Sequence, residues 1–253
     1  MEPTTQTKTN MNSIADIKHA YYINLDTRPD RKVHVEEQLK KIGVNAQRFN
    51  AIRLPNGALG CSMSHLKCIE LAKQNDFDHI MIVEDDIMFL KPKVFVKQLN
   101  HFLKNHKNWD VILIAGNNVP PYTRVDDSCI KVSRCQTTTG YIVNKHYYDK
   151  LMQNYRDGMS HLMREPDKPI LYAIDKYWFN LQMVDNWYLI TPLTVTQKDD
   201  YSDIEKKHVG YTHLMTDLDK EWLFKQPPVE QLVKINEMKS PSTPKMHKIN
   251  YIK

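Results

Sequence analysis

Short apolar runs and helical-period stretches alternate along the first 115 residues. Ala20-Tyr21-Tyr22-Ile23-Asn24-Leu25 reads as a buried strand, rich in aromatic and branched side chains. Asp26-Thr27-Arg28-Pro29-Asp30 then predicts a turn into a helix. Pro29 suits the first turn, Val35, Leu39 and Ile42 recur at helical spacing, and Gly43 is the stop. A second strand is expected over Ala46 to Ile52, followed by the loop Arg53 to Gly57, where Asn56-Gly57 signals a turn. Gly60 to Ala72 predicts a helix. His79-Ile80-Met81-Ile82-Val83 is a continuous apolar run, the pattern of a strand covered on both faces, and it ends abruptly in Glu84-Asp85-Asp86. A helix from Pro92 to Asn105 and a strand from Asp110 to Ala115 follow. Strand alternating with helix predicts an α/β class with a parallel sheet.

The second half is less regular. Asn117 to Asp127 reads as a polar loop, Thr137 to Val143 as a strand, and Asn144 as the cap of a helix over Lys145 to Asn154. Ile170 to Ile174 looks strand-like and runs into Asp175 and the aromatic cluster Tyr177-Trp178-Phe179, and Trp187 to Ile190 predicts a further strand. Beyond Trp222 come Pro-Pro, a helical pattern from Val229 to Met238 and a Ser/Pro/Lys tail. No internal repeat is present. The expected organisation is a loosely ordered arm over 1–18, one domain over 19–225, and a C-terminal helix and flexible tail over 226–253.

Composition narrows the class. With 41% hydrophobic and 26% charged residues the chain is neither disordered nor fibrous. The formal charge of +5 is modest, and Lys and Arg are dispersed among acids rather than gathered into the stripe that nucleic acid requires. Cys61, Cys68, Cys129 and Cys135 form no C-x-x-C pair, so reduced structural thiols are expected. Met1 to Asp16 lacks the apolar core of a secretory signal, and no run approaches the ~20 apolar residues of a membrane span. A cytoplasmic enzyme of bacterial or viral origin is the expectation. The lysines of the tail, Lys234, Lys239, Lys245 and Lys248, could touch an anionic membrane or acceptor, although a solvated tail explains them better.

Glu84-Asp85-Asp86 carries the chemistry. Open α/β sheets bind ligands at the carboxyl ends of their strands. Three acids there repel one another unless a cation compensates, and hard oxygen ligands suit Mg2+ or Mn2+ holding a diphosphate. Strand alternation predicts Glu84 and Asp86 on one face and Asp85 on the other. The competing reading is a solvated strand end. The triplet by itself also fits a metal-dependent phosphodiesterase or phosphatase.

Taken together the motifs resemble glycosyltransferase family 25, the group of lipooligosaccharide sugar transferases and procollagen galactosyltransferases. The matching residues are Ile23-Asn24-Leu25-Asp26 with Arg28-Pro29-Asp30-Arg31, Gly60-Cys61 with Ser64-His65, Val83-Glu84-Asp85-Asp86, Thr139-Gly140-Tyr141, Asp175, and Gln197 followed by Ser202-Asp203-Ile204. The resemblance implies a GT-A-like, Rossmann-type nucleotide-sugar-binding sheet with flanking helices. It also implies a UDP-sugar donor, Mn2+ or Mg2+, and an inverting displacement.

By that analogy Asp86 is the metal ligand, joined by a late histidine, His213 (or His208), and Asp175 is the general base. Asp26, Arg28 and Arg31 meet the nucleotide, while Glu84, Asp85, Ser64, His65, Gly140, Gln197, Ser202 and Asp203 line the donor site. Each has a plainer alternative. Arg28 and Arg31 also suit a solvated first helical turn, Ser64 and His65 mutual hydrogen bonding, Gly140 a strand bulge, and Asp175 a helix cap.

The expected activity is transfer of galactose or glucose from a UDP-sugar to a hydroxyl of a saccharide or of a hydroxylysine in a collagen-like protein. Two rivals are the phosphodiesterase or phosphatase above and a degenerate protein that binds nucleotide or glycan without turnover. A dinucleotide-dependent oxidoreductase loses its main requirement, because no G-x-G-x-x-G follows the first strand.

Overall fold

The computed structural model describes residues 11–202, 204 and 206–223. The chain falls into two compact units, Met1–Asp219 and Lys220–Lys253. The described part of the second contains a single 3-10 turn, Glu221–Leu223. The start of the predicted arm, Asp203, the helical pattern after Val229 and the basic tail lie outside the described residues.

β1 (Ala20–Asn24) leads into α1 (Pro29–Ile42). Pro29 stands in the first turn, where a missing N–H is no loss. Gly43 ends the helix at φ 71°, its N–H donating to the carbonyls of Leu39 and Lys40. After β2 (Gln47–Asn50), α2 (Gly57–Gln74) begins earlier than predicted. Asn56 does not make a free turn but caps the helix, its side chain accepting from the Leu59 N–H at 3.1 Å. β3 (His79–Glu84), β4 (Ile87–Phe89), α3 (Pro92–Asn105) and β5 (Val111–Leu113) follow.

The stretch expected as a loop contains β6 (Asn117–Asn118) and β7 (Thr123–Asp126). β8 (Cys129–Lys131) pairs with β7, and β9 (Cys135–Gln136) with β6. After β10 (Gly140–Asn144), Asn144 does not cap the next helix: its Nδ2 donates to the Trp109 carbonyl at 3.3 Å. α4 (Tyr148–Arg164) starts after a 3-10 turn and continues well past Asn154.

Residues 170–174 are helical rather than a strand. They fall in α5 (Pro169–Tyr172) and α6 (Ile174–Tyr177), with Ala173 the bend between them, followed by α7 (Phe179–Gln182). Pro169 opens a helical turn, and Ile170 and Leu171 are exposed, so the apolar run is not a core strand. β11 (Trp187–Ile190), β12 (Val195–Gln197), β13 (Asp200–Ser202), β14 (Lys207–Val209) and α8 (Thr212–Thr216) complete the body.

Eight strands form one sheet in the order β2-β1-β3-β10-β5-β11-β8-β7. β1 runs parallel to β2 and β3, and β5 parallel to β11, as the strand–helix alternation requires. The sheet is nevertheless mixed. β10 inserts antiparallel between β3 and β5, and β7 and β8 form an antiparallel edge.

Alternate strand residues feed two cores. Tyr22, Met81, Val83 and Ile142 pack with Val35 and Leu39 of α1 and Phe95, Leu99 and Phe102 of α3. Tyr21, Ile23, Ile80, Ile82, Tyr141 and Val143 pack with Leu66 and Ile69 of α2 and Leu151 and Tyr155 of α4. Helices therefore cover both faces, which is why β3 is apolar without a break. Residues 11–18 were expected to be loose but are folded down: Met11, Ile14 and Ile17 join the first of these cores, and the Ile14 N–H donates to Asn100 at 2.7 Å.

Candidate active site

β1 and β3 end side by side, with Ile23 opposite Glu84, and the acidic triplet stands at that edge. Glu84 is the last strand residue, and Asp85 and Asp86 form the turn into β4. Alternation therefore stops at Glu84. Asp85 and Asp86 do not face opposite ways as a strand would dictate but both meet Arg31, at 3.0 Å and 3.4 Å. Asn24 Nδ2 donates to the other Asp85 oxygen at 2.8 Å. Arg31 also donates to the Tyr201 carbonyl at 3.0 Å and pairs with Asp200 at 3.4 Å. Arg28 bridges Asp30 and Asp200, each at 2.9 Å. The first turn of α1 is thus a built ion-pair network and not a solvated helix start. Asp200 and Asn24 are members that sequence reasoning missed; Asp200 acquires its role only when β13 folds back over α1.

Glu84 faces a different set of groups. Its Oε1 accepts from Thr138 Oγ1 at 2.7 Å and lies 3.3 Å from His65 Nε2 and 3.7 Å from Cys61 Sγ. Its Oε2 accepts from Gln197 at 3.4 Å. Helical geometry explains the Gly-Cys and Ser-His pairs of α2. Positions 60 and 64 share one side, and positions 61 and 65 the next. Gly60 lets the helix close on Ile52, whose carbonyl would lie 2.5 Å from any added Cβ. Ser64 Oγ accepts from the Ile52 N–H at 2.9 Å and donates to the Gly60 carbonyl. Ser64 is fully engaged with backbone and buried, while Cys61 and His65 reach Glu84. His65 is itself completely buried and held by Tyr141 Oη at 2.8 Å.

Asp175 joins from α6. Its carboxylate accepts from the Thr137 N–H at 3.1 Å, next to the Thr138 that holds Glu84. Thr137 sits at φ 73°, the left-handed region that costs a branched residue energy. Burial pushes the Asp175 carboxyl above the usual range, and the nearby Glu84 charge adds to this against Lys176.

Burial raises Asp86 to about 8, with the charges of Glu84 and Asp85 adding to the rise and Arg31 opposing it. Asp85 is raised less, burial being opposed by Asn24 and Arg31. At Glu84 the penalty of burial is outweighed by the hydrogen bond and charge of His65 and by hydrogen bonds from Thr138 and Cys61, which hold its carboxyl below the usual range. Asp86 Oδ1 is buried and has no hydrogen-bond partner. An orphaned, crowded carboxylate oxygen fits a hard divalent ion of the Mg2+ class, which takes one or two protein carboxylates and fills its shell with water and phosphate oxygens.

The other predicted residues are placed as follows. Asp26 is exposed and paired to Arg48 at 2.6 Å. Gly140 is not a bulge. It stays in register with Val83, and an added Cβ would meet the Ile114 side chain at 2.7 Å and that of Ile87 at 3.0 Å. Ser202 ends β13, opposite Lys207. His213 is exposed on α8, and His208 on β14 faces Tyr201. Among the described residues, neither histidine nor Asp86 belongs to a group of three potential ligands. Two such groups exist, Cys61-His65-Glu84 and His106-Asp126-Cys129. Trp178 is core, donating to the Cys135 carbonyl at 2.9 Å, and all four cysteines are free thiols. A cleft of about 220 Å³ lined by Lys18, Tyr21 and Gln47 opens at the opposite ends of β1 and β2, away from these acids. No described helix is long and apolar enough to cross a membrane.

The acidic turn at the strand end and the buried carboxylate beside it thus stand together on one α/β sheet. Residues 52–163 match the family model of glycosyltransferase family 25 (LPS biosynthesis protein), a span holding Gly60 to His65, the acidic triplet and Gly140. Over that stretch the chain is similar to the glycosyltransferases of that family, as its motifs led us to expect. A procollagen lysyl hydroxylase and glycosyltransferase of Acanthamoeba polyphaga mimivirus is 22% identical over 77% of this chain and 26% of its own length. A putative glycosyltransferase of Haemophilus influenzae is 25% identical over 64% of this chain and 63% of its own. The chain thus spans about a quarter and under two thirds of these relatives. Among solved structures, a glycosyltransferase involved in glycosylation of the major capsid of PBCV-1 superposes with TM-score 0.43 and 13% identity, covering 68% of this chain and 80% of that one.

Proposed function

We propose that the chain transfers a hexose, galactose or glucose, from a UDP-sugar to a hydroxyl of a saccharide or of a hydroxylysine-bearing protein, with inversion. The observation that carries this reading is the acidic turn Glu84-Asp85-Asp86 at the end of β3, within the family span and two hydrogen bonds from Asp175 by way of Thr137 and Thr138. Asp86 would hold Mn2+ or Mg2+ through its unpartnered oxygen, and the ion would offset the charge of the departing diphosphate. His213 is retained as a second ligand only on the family pattern.

The chain's own residues then divide the work. Arg31 keeps Asp85 and Asp86 together and with Arg28 forms the cationic edge at which the nucleotide phosphates are read, Asp26 lying beside them. Glu84, Asp85 and Gln197 contact donor hydroxyls, and Ser202 and Asp203 are assigned to the donor site on the family pattern alone. Asp175, whose proton affinity is raised by burial, takes the proton of the acceptor hydroxyl as the sugar's anomeric carbon is attacked.

The test is UDP release from a panel of UDP-sugars with Mn2+, with Mg2+ and with chelator. Release from one sugar, abolished by chelator and by Asp86→Asn, is expected. Absence of both release and metal-dependent UDP binding across the panel would count against the reading.

A further inference from the structure

Cys61 and His65 stand one helical turn apart on α2 and face Glu84. Sγ lies 3.7 Å and Nε2 3.3 Å from the same Glu84 oxygen, and all three ligand atoms fall within 4.8 Å of one another. Zinc bonds of about 2.3 Å to sulfur and about 2.0–2.1 Å to nitrogen and oxygen, at tetrahedral angles, place S···O about 3.5 Å and N···O about 3.3 Å apart. Both separations to Glu84 are met with almost no movement.

The surroundings point the same way. Metal-bound imidazoles rest their second nitrogen on a fixed partner. Here His65 Nδ1 meets Tyr141 Oη at 2.8 Å, and Tyr155 Oη anchors that tyrosine at 3.2 Å. The described groups hydrogen-bonded to the Glu84 side chain are Thr138, Gln197, Cys61 and His65, with no lysine or arginine among them.

We propose that Cys61 Sγ, His65 Nε2 and Glu84 Oε1 form a three-ligand site for a borderline-soft divalent cation of the zinc class, leaving a fourth position for water or a substrate oxygen. Thiolate and imidazole favour such an ion over Mg2+ or Mn2+, so this position is chemically distinct from the hard one at Asp86. On binding, the Cys61 thiol proton leaves to solvent, and the remaining ring proton of His65 sits on Nδ1, donated to Tyr141. The site does not depend on the transferase reading.

Co2+ titrated into chelator-stripped protein without nucleotide is the probe, read by near-ultraviolet thiolate-to-cobalt charge transfer, with Zn2+ as competitor. One Co2+ per chain with that band is expected, displaced by Zn2+ and lost in Cys61→Ser. The band should persist in Asp86→Asn and in Cys129→Ser, which empties the other thiol-bearing cluster. Tyr141→Phe keeps the three ligands and is expected to weaken binding roughly 10- to 100-fold. Saturating Co2+ without a charge-transfer band, or a band that survives Cys61→Ser, overturns the proposal. Should Cys61→Ser misfold by circular dichroism, the unchanged affinity of a folded Tyr141→Phe would do so instead. UDP release with Mn2+ is measured separately, so failure here leaves the transferase reading standing.

Discussion

Asp175 combines what a proton acceptor needs at a transfer site: a buried carboxylate with raised proton affinity, fixed by one backbone N–H and close enough to Glu84 to feel its charge. Asn at this position keeps the oxygen that accepts from Thr137 and removes the basicity. Donor hydrolysis by Asp175→Asn is expected to fall by roughly 10²- to 10⁴-fold in kcat, with donor KM changed only a few-fold. A loss below tenfold, or one confined to KM, would return Asp175 to a structural role. The same scale separates what the sequence could reveal from what it could not. Glu84, Asp85 and Asp86 were visible because acids rarely close an apolar strand. That Asp85 and Asp86 would share Arg31 was not visible, since it depends on the strand ending at Glu84. Ser64 and His65 looked alike as buried polar residues, and only the phase of α2 sends one to backbone and the other to Glu84.

At the scale of elements, β1, α1, β3, α3 and β5 were legible because period and punctuation agreed along each. β10 could be seen as a strand, but its antiparallel insertion between β3 and β5 could not, because an apolar run carries no direction. Its first residue shows what that insertion demands. Gly140 lies under Ile114 and Ile87, with no room for a methyl group, in a strand hydrogen-bonded on both sides. Gly140→Ala is therefore expected to destabilise the body by about 1–3 kcal/mol through overpacking. The denaturation midpoint should fall while the slope with denaturant stays constant. A midpoint equal to the wild type would mean that Ile114 re-rotates freely. The segments that misled, 117–127 and 170–174, are those where short strands and one-turn helices are fixed by partners distant in sequence.

On the scale of the whole molecule, the acids gather at one end of the sheet while its other end is closed by residues 11–18 against the start of β3. His79 is the joint. Its Nε2 accepts from the Lys18 N–H at 3.2 Å, a bond that only the neutral ring can make. Burial, helped by the His19 ring 5.8 Å away and by Lys18 and opposed by Asp78 and Asp16, lowers its pKa from 6.5 to about 4. Between those values the unfolded chain binds a proton that the folded chain refuses. Stability is therefore intact above pH 6.5, falls as pH is lowered through this window, and flattens again below about pH 4. The full span corresponds to about 3 kcal/mol at most, from 1.36 kcal/mol per pKa unit. His79→Gln preserves an acceptor for Lys18 without a titrating ring. The difference in Tm between wild type and variant should thus drift in the variant's favour from pH 6.5 down to 4 and stay constant outside that range. His34, also lowered by burial, contributes equally to both proteins and cancels. A difference that does not vary with pH would show that the packed N-terminal segment, and not the protonation of His79, governs how this end of the sheet responds to acid.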